Sequence, residues 1–175
     1  MERSAALVSL LLGAALVGLA PPAAARAGCP AGWGSLPEVA PSVRQGEVVG
    51  VRTGAHACFD RFVVDVAGRG DGYFVRYVDQ VRFDGSGDVV PLRGGARLEV
   101  VVVEPVAATD AFFLPDGEPA DVRGYRTFRQ VAWAGSFEGQ TTFGLGVRAR
   151  LPFRVLTLDG PGAGSRLVVD VAHRW

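Results

Sequence analysis

Arg61-Phe62-Val63-Val64-Asp65-Val66-Ala67 and Arg166-Leu167-Val168-Val169-Asp170-Val171-Ala172 agree at six of seven positions although they stand more than half the chain apart. Each alternates with a period of two, the spacing that sends successive side chains to opposite faces of a β-strand. The pattern predicts two strands with Phe62, Val64 and Val66, and likewise Leu167, Val169 and Val171, facing a core, and with Asp65 and Asp170 facing out. Two copies are too few for a solenoid. The expectation is a sandwich of two related sheets in which the two strands occupy equivalent places.

The same alternation recurs on either side. In Ala96-Arg97-Leu98-Glu99-Val100-Val101-Val102-Val103, one face reads Ala, Leu, Val, Val and the other begins Arg, Glu. Further strands are expected over 46–52, 60–67, 73–82, 96–104, 127–134, 141–150, 153–158 and 166–173. Gly and Pro punctuate them every eight to twelve residues or so, and no stretch after the first 27 residues sustains a helical apolar period. The fold class is therefore all-β: a single-domain β-sandwich of about eight strands, with a closed β-barrel as the alternative way to dispose of sheet edges.

Composition agrees and narrows the function. Of 175 residues 49% are hydrophobic, and 18 basic residues balance 18 acidic ones. A disordered tail would be less apolar, and a general nucleic-acid binder would carry a basic excess. There is no Lys, Ile or Asn, so no N-glycosylation sequon exists. The missing residues have A/T-rich codons, which fits a GC-rich genome such as that of an actinobacterium.

The first 27 residues read as a secretory signal peptide. Arg3 is the positive n-region, Ala5 to Ala20 an apolar stretch too short and too rich in Ala and Gly for a stable membrane span, and Ala25-Arg26-Ala27 a cleavage site. A lipoprotein signal with Cys29 acylated is the alternative, but Arg26 stands where a lipobox wants an aliphatic residue. Removing Glu2, Arg3 and Arg26 leaves 16 basic and 17 acidic residues. The expected organisation is a signal peptide over 1–27, an N-terminal arm over 28–45 and the β-domain over 46–175. Cys29 and Cys58, an even count in an exported chain, predict one disulfide tethering the arm.

Catalytic signatures are absent: there is no Gly-x-Ser-x-Gly, no His-Glu-x-x-His and no phosphate-cradling loop. His56 with Asp60 is the best local acid–base pair, set against a loop histidine beside the disulfide. His173 reads as structural or exposed. Asp84-Gly85-Ser86-Gly87-Asp88 resembles the start of a calcium loop but lacks the remainder, and its glycines equally suit a hairpin turn. Gly135-Ser136-Phe137-Glu138-Gly139 is likewise a turn whose Phe and Glu could meet a glycan. Tyr73, Val75 and Tyr77 share one strand face opposite Phe74, Arg76 and Val78, and one of the two faces must be core. Trp33, Trp133 and Trp175 are divided in the same way between core and ligand platform. From Pro105 to Tyr125 no strand signal occurs, and Phe112 and Phe113 there either fold back on the sandwich or display a recognition loop.

Val51-Arg52-Thr53-Gly54-Ala55-His56-Ala57-Cys58-Phe59-Asp60-Arg61-Phe62-Val63-Val64-Asp65, then Gly72-Tyr73, Tyr77-Val78, Asp84-Gly85-Ser86-Gly87, Gly135-Ser136-Phe137-Glu138-Gly139, Pro152-Phe153-Arg154-Val155 and Arg166-Leu167-Val168-Val169-Asp170-Val171-Ala172-His173 together resemble the AMIN-like family of secreted actinobacterial proteins. The likeness runs from about Trp33 to His173. That family is similar to the AMIN domain, a small β-sandwich that holds cell-wall amidases and secretins at the envelope through peptidoglycan. No amidase or secretin sequence accompanies it here. The resemblance implies a secreted, non-catalytic binding module for peptidoglycan or another envelope component, without cofactor or metal. A secreted protein that binds another extracellular protein, for instance by strand addition at a sheet edge, is the second reading, and a small hydrolase centred on His56 and Asp60 the third. The candidate ligand-binding residues are His56, Asp60, Arg61, Tyr73, Tyr77, Phe137 and Glu138.

Overall fold

The computed structural model describes Cys29, residues 31–43, 45–107 and 118–175. The expected signal peptide and the pair Phe112 and Phe113 lie outside the described residues. Those described form nine strands: β1 (Glu38–Ala40), β2 (Gly46–Ala55), β3 (Phe59–Gly68), β4 (Tyr73–Val78), β5 (Ala96–Val102), β6 (Phe128–Phe137), β7 (Gln140–Val147), β8 (Phe153–Asp159) and β9 (Ser165–Ala172). They make two antiparallel sheets, ordered β1-β4-β5-β7-β6 and β2-β3-β9-β8. Neither sheet closes on itself, so the architecture is the sandwich and not the barrel. All eight expected strands are present. The ninth, β1, is three residues long between Pro37 and Pro41, too short to show an alternation.

The inward faces follow the period-two reading. Leu98, Val100 and Val102 of β5, Phe62, Val64 and Val66 of β3, and Leu167, Val169 and Val171 of β9 belong to one core. Phe62 and Phe143 meet edge to face across the two sheets at 5.4 Å, a geometry that adds to simple burial.

The two copies of the repeated heptad are not equivalent strands of separate sheets. They are antiparallel neighbours in the four-stranded sheet, with Arg61 opposite Asp170, Val63 opposite Val168 and Asp65 opposite Arg166. Antiparallel pairing runs one copy backwards against the other, so each arginine falls opposite the other copy's aspartate. Asp170 lies on the outer face as expected, yet it is completely buried, because side chains rather than the core cover it.

The outer faces of the sheets differ. On β7, Gly144 and Gly146 stand where the alternation would put outward side chains, and a Cβ at Gly144 would lie 2.7 Å from Leu92 Cδ1 and one at Gly146 only 2.0 Å from the Arg93 carbonyl oxygen. Those bare positions let the segment after β4 lie flat on the sheet, where Val81 and Val90 form a second small core with Ala132 and Ala134 of β6. This is why β4 stops at Val78 and not near residue 82. Asp84-Gly85-Ser86-Gly87 is a turn within that segment, closed by the Gly87 amide on the Phe83 carbonyl. Asp84 faces the sheet and accepts from Thr142 Oγ1 at 3.2 Å, and burial raises its pKa. Among the described residues no group of three His, Cys, Asp or Glu is placed to hold a metal ion, and no helix is long and apolar enough to cross a membrane.

Candidate functional site

Cys29 and Cys58 form a disulfide, so the Cys29 sulfur is not available for acylation. The link fixes the N-terminal arm at the end of the sandwich where β3 begins and β9 ends. From there the arm runs along β8: the Phe153 amide donates to the Gly34 carbonyl at 2.7 Å, and the Val155 amide donates to Glu38 Oε2 at 3.1 Å. Burial raises the Glu38 pKa, which the Val155 hydrogen bond partly offsets.

This path lays Trp33 against the outer face of the four-stranded sheet. The Arg154 guanidinium stands 4.4 Å from the Trp33 ring and 5.7 Å from the Phe59 ring, and Arg61 stands 5.2 Å from Phe59. Both arginines converge on Asp170. Arg61 donates from Nε to Oδ1 at 2.6 Å and from Nη2 to Oδ2 at 2.9 Å, and Arg154 donates from Nε to Oδ2 at 2.9 Å. Two cations around one buried carboxylate leave the patch with a net positive charge. The bidentate pairing also raises the pKa of Arg61 further, against the opposing effect of burial. His56 is exposed and extends the aromatic surface by stacking on Phe59 at 4.6 Å. Phe59 and Trp33 rings sit 5.6 Å apart.

The rows beyond this cluster are less aromatic. Val63 and Val168 are buried at 7% and 2% exposure although they face outward, beneath the apolar stems of the charged side chains around them. At the far end Arg52 takes Asp65 with two bonds of 2.6 Å, while Arg166 turns to the Asp159 carbonyl at 3.1 Å. The near-symmetry of the heptads is thus broken by the partners on β2 and at the end of β8.

Of the residues expected at a site, His56 and Arg61 lie in this patch. Asp60 points the other way and is fully buried. Its Oδ2 accepts from the amides of Thr127 at 2.5 Å and Phe128 at 3.0 Å, and its Oδ1 is 3.0 Å from His173 Nε2. The structure does not bring His56 and Asp60 together, and His173, at 9% exposure, is the structural histidine. Tyr73 and Tyr77 pack against the core. The Tyr77 hydroxyl donates to the Leu151 carbonyl at 2.8 Å and accepts from the Leu151 amide at 3.0 Å, and burial raises the pKa of both phenols. Both are half-buried, and the Arg150 guanidinium stands 5.0 Å from the Tyr77 ring.

Phe137 and Glu138 are at the β6–β7 turn, where Glu138 has φ 49° and Gly139 φ 79°, the pair of positive values that a two-residue hairpin favours. Phe128, at the other end of β6, is the residue tied to Asp60. The ten-residue length of β6 therefore puts Phe137 roughly 30 Å from the disulfide end. The seven expected residues do not form one site. Phe59, Arg154 and Asp170 were not among the expected site residues, and Trp33 stood undecided between core and ligand platform. The Arg61–Asp170 pair was readable had the heptads been set antiparallel side by side, whereas nothing local in the sequence marks Arg154 as the partner of Trp33.

No curated protein matches the chain. The AMIN-like domain model matches residues 46–173, which spans β2 through the end of β9 and includes Phe59, Arg61, Arg154 and Asp170 but not the arm that carries Trp33. The chain therefore belongs to the AMIN-like domain family.

Proposed function

We propose that this protein is a secreted, non-catalytic binding module that attaches to cell-wall peptidoglycan through the outer face of its four-stranded sheet. Family membership suggests association with peptidoglycan. The observation that carries the choice of surface is the contrast between the two outer faces: one is largely roofed by the segment after β4, while the other presents Trp33, Phe59 and His56 beside Arg61 and Arg154. Aromatic faces suit the apolar side of a sugar ring, and guanidinium forks suit the carboxylates of stem peptides. Each guanidinium has five N–H donors. Asp170 engages only the Nε and Nη2 of either arginine, so it orders them in advance while Nη1 stays free of it. Ordering before binding lowers the entropy lost on association.

Co-sedimentation with protein-free sacculi tests the reading. The purified protein pellets saturably, Trp33→Ala and Phe59→Ala weaken pelleting, and Phe137→Ala, at the opposite end, does not. Wild-type protein that remains in the supernatant while folded by circular dichroism overturns the proposal and leaves an extracellular protein partner as the alternative.

A further inference from the structure

Behind the Trp33 patch, at the disulfide end of the sandwich, lies a pocket of about 190 Å³ that shares Trp33 with the patch but none of its arginines. The Cys29–Cys58 disulfide forms one wall, Pro152 and Ala172 line it, and Trp33, Trp175 and Arg174 complete it. Pockets that take drug-sized ligands begin at ~300 Å³, so this one suits a single ring.

Two features distinguish it from an accidental gap. Trp175 is 74% exposed, an unusual state for the largest apolar side chain, yet it is held in place, its Nε1 donating to the Arg150 carbonyl at 3.1 Å. Arg174 is exposed and has no hydrogen bond, ion pair or ring contact among the described residues. Elsewhere on this face the cations are already committed: Arg61 and Arg154 to Asp170, Arg148 to the His173 carbonyl and Arg150 to Ser35. Arg174 alone brings an uncommitted charge to a pocket with two indoles.

We propose that this pocket is a subsite for a sugar ring carrying a carboxylate, the ring lying against the indole of Trp175 or Trp33 and the carboxylate accepting from Arg174. The choice of ligand rests on the wall-binding proposal and makes it more specific: a peptidoglycan strand freed of its stem peptides carries ring and carboxylate together on N-acetylmuramic acid, whose lactyl carboxyl is otherwise tied up as an amide. A neutral sugar keeps only the stacking half of the interaction.

Tryptophan fluorescence reads the pocket directly, because two of the three tryptophans line it and the third, Trp133, packs on Phe143 at 5.5 Å. Full-length purified protein is titrated with N-acetylmuramic acid, D-glucuronic acid and N-acetylglucosamine. The two acids are expected to change the emission saturably and to bind about tenfold more tightly than the neutral sugar, the factor that one charge-assisted hydrogen bond carries. Arg174→Gln removes that preference, Trp175→Ala removes most of the emission change, and reduction of the disulfide, which opens one wall, weakens binding of all three sugars. Absence of any response, or an equal response to acid and neutral sugars in the wild type, overturns the subsite, as does a preference that survives Arg174→Gln. Sacculus pelleting separates the two proposals. If Arg174→Gln and Trp175→Ala show no sugar response difference from wild type while wild type pellets, the wall reading stands without the subsite. If wild type responds to sugar acids but does not pellet, the subsite stands and the wall reading fails.

Discussion

Two arginines around one buried carboxylate should behave as a redundant pair. Asp170 has no exposed side-chain surface, while Arg61 and Arg154 are 27% and 34% exposed. In Arg61→Met the apolar stem is retained and Arg154 still neutralises Asp170, and the converse holds for Arg154→Met. Hydrogen bonds to charged groups contribute about 1.5–3 kcal/mol when sheltered, and the partial exposure of the arginines reduces this, so each single change should cost about 1 kcal/mol. The double variant leaves a buried carboxylate without a cation, a loss in the range of about 3–5 kcal/mol. The excess over the two singles is then ~1–3 kcal/mol. Urea denaturation with a common m-value measures it. Adding Asp170→Asn to the double variant removes the buried charge and should recover about 2 kcal/mol, because a neutral amide costs less to bury than an unpaired ion. Additivity of the two arginine substitutions within ~0.5 kcal/mol, or a triple variant no more stable than the double, would refute the reasoning.

Other perturbations probe the roof, the staple and a buried acid. Gly146→Ala places a methyl against the Arg93 carbonyl, 2.0 Å from its oxygen, so it should destabilise by about 1–3 kcal/mol and speed proteolysis within residues 79–95, whereas Gly85→Ala, with no atom near its Cβ position, costs less through its φ of 86° alone. Cys58→Ser opens a disulfide of sequence separation 29 and should lower stability by roughly 3–4 kcal/mol, read as a fall in the urea midpoint that reductant reproduces in the wild type. Glu104 is 1% exposed, its Oε1 has no hydrogen-bond partner among the described residues, and burial raises its pKa despite the Gly46 amide on Oε2. A carboxyl with a raised folded-state pKa adds stability below its unfolded value and loses it as pH rises through the folded value. The wild type should therefore gain thermal stability from this group between pH 7 and about pH 4.5, Glu104→Gln should flatten that gain, and a pH profile the substitution leaves unchanged would remove Glu104 as its source.

The strands were legible because their signal is local. Each of β2 to β9 alternates or is bounded by Gly and Pro, and burial of Leu98, Val100 and Val102 follows directly from spacing. What could not be read locally is which strands lie side by side. The heptad repeat was visible, but equal sequence is compatible with equivalent strands in two sheets or with neighbours in one. Only the register, which sets Arg61 against Asp170, shows that the shared Arg and Asp serve each other. The site suffered most for the same reason. Asp60 lies four residues from His56 in the chain, yet strand alternation and the turn at Cys58 send one inward to Thr127 and Phe128 and leave the other on the surface. Tyr73 and Tyr77 were half of an either-or that Val75, at 0% exposure, decides for the core.

The arm beside β8 has a consequence for how the molecule behaves when it is crowded against copies of itself. An outermost strand ordinarily offers a row of unsatisfied amides on which another chain can template, the first step towards fibres or swapped dimers. Here the amides of Phe153 and Val155 already end on Gly34 and Glu38, and on the opposite border the Val48 amide ends on Pro105 while its carbonyl receives Ala107. Each border of the four-stranded sheet is plugged in part by the protein's own backbone or by a carboxylate. Copies of the protein held at high local concentration are thereby kept from growing into one another.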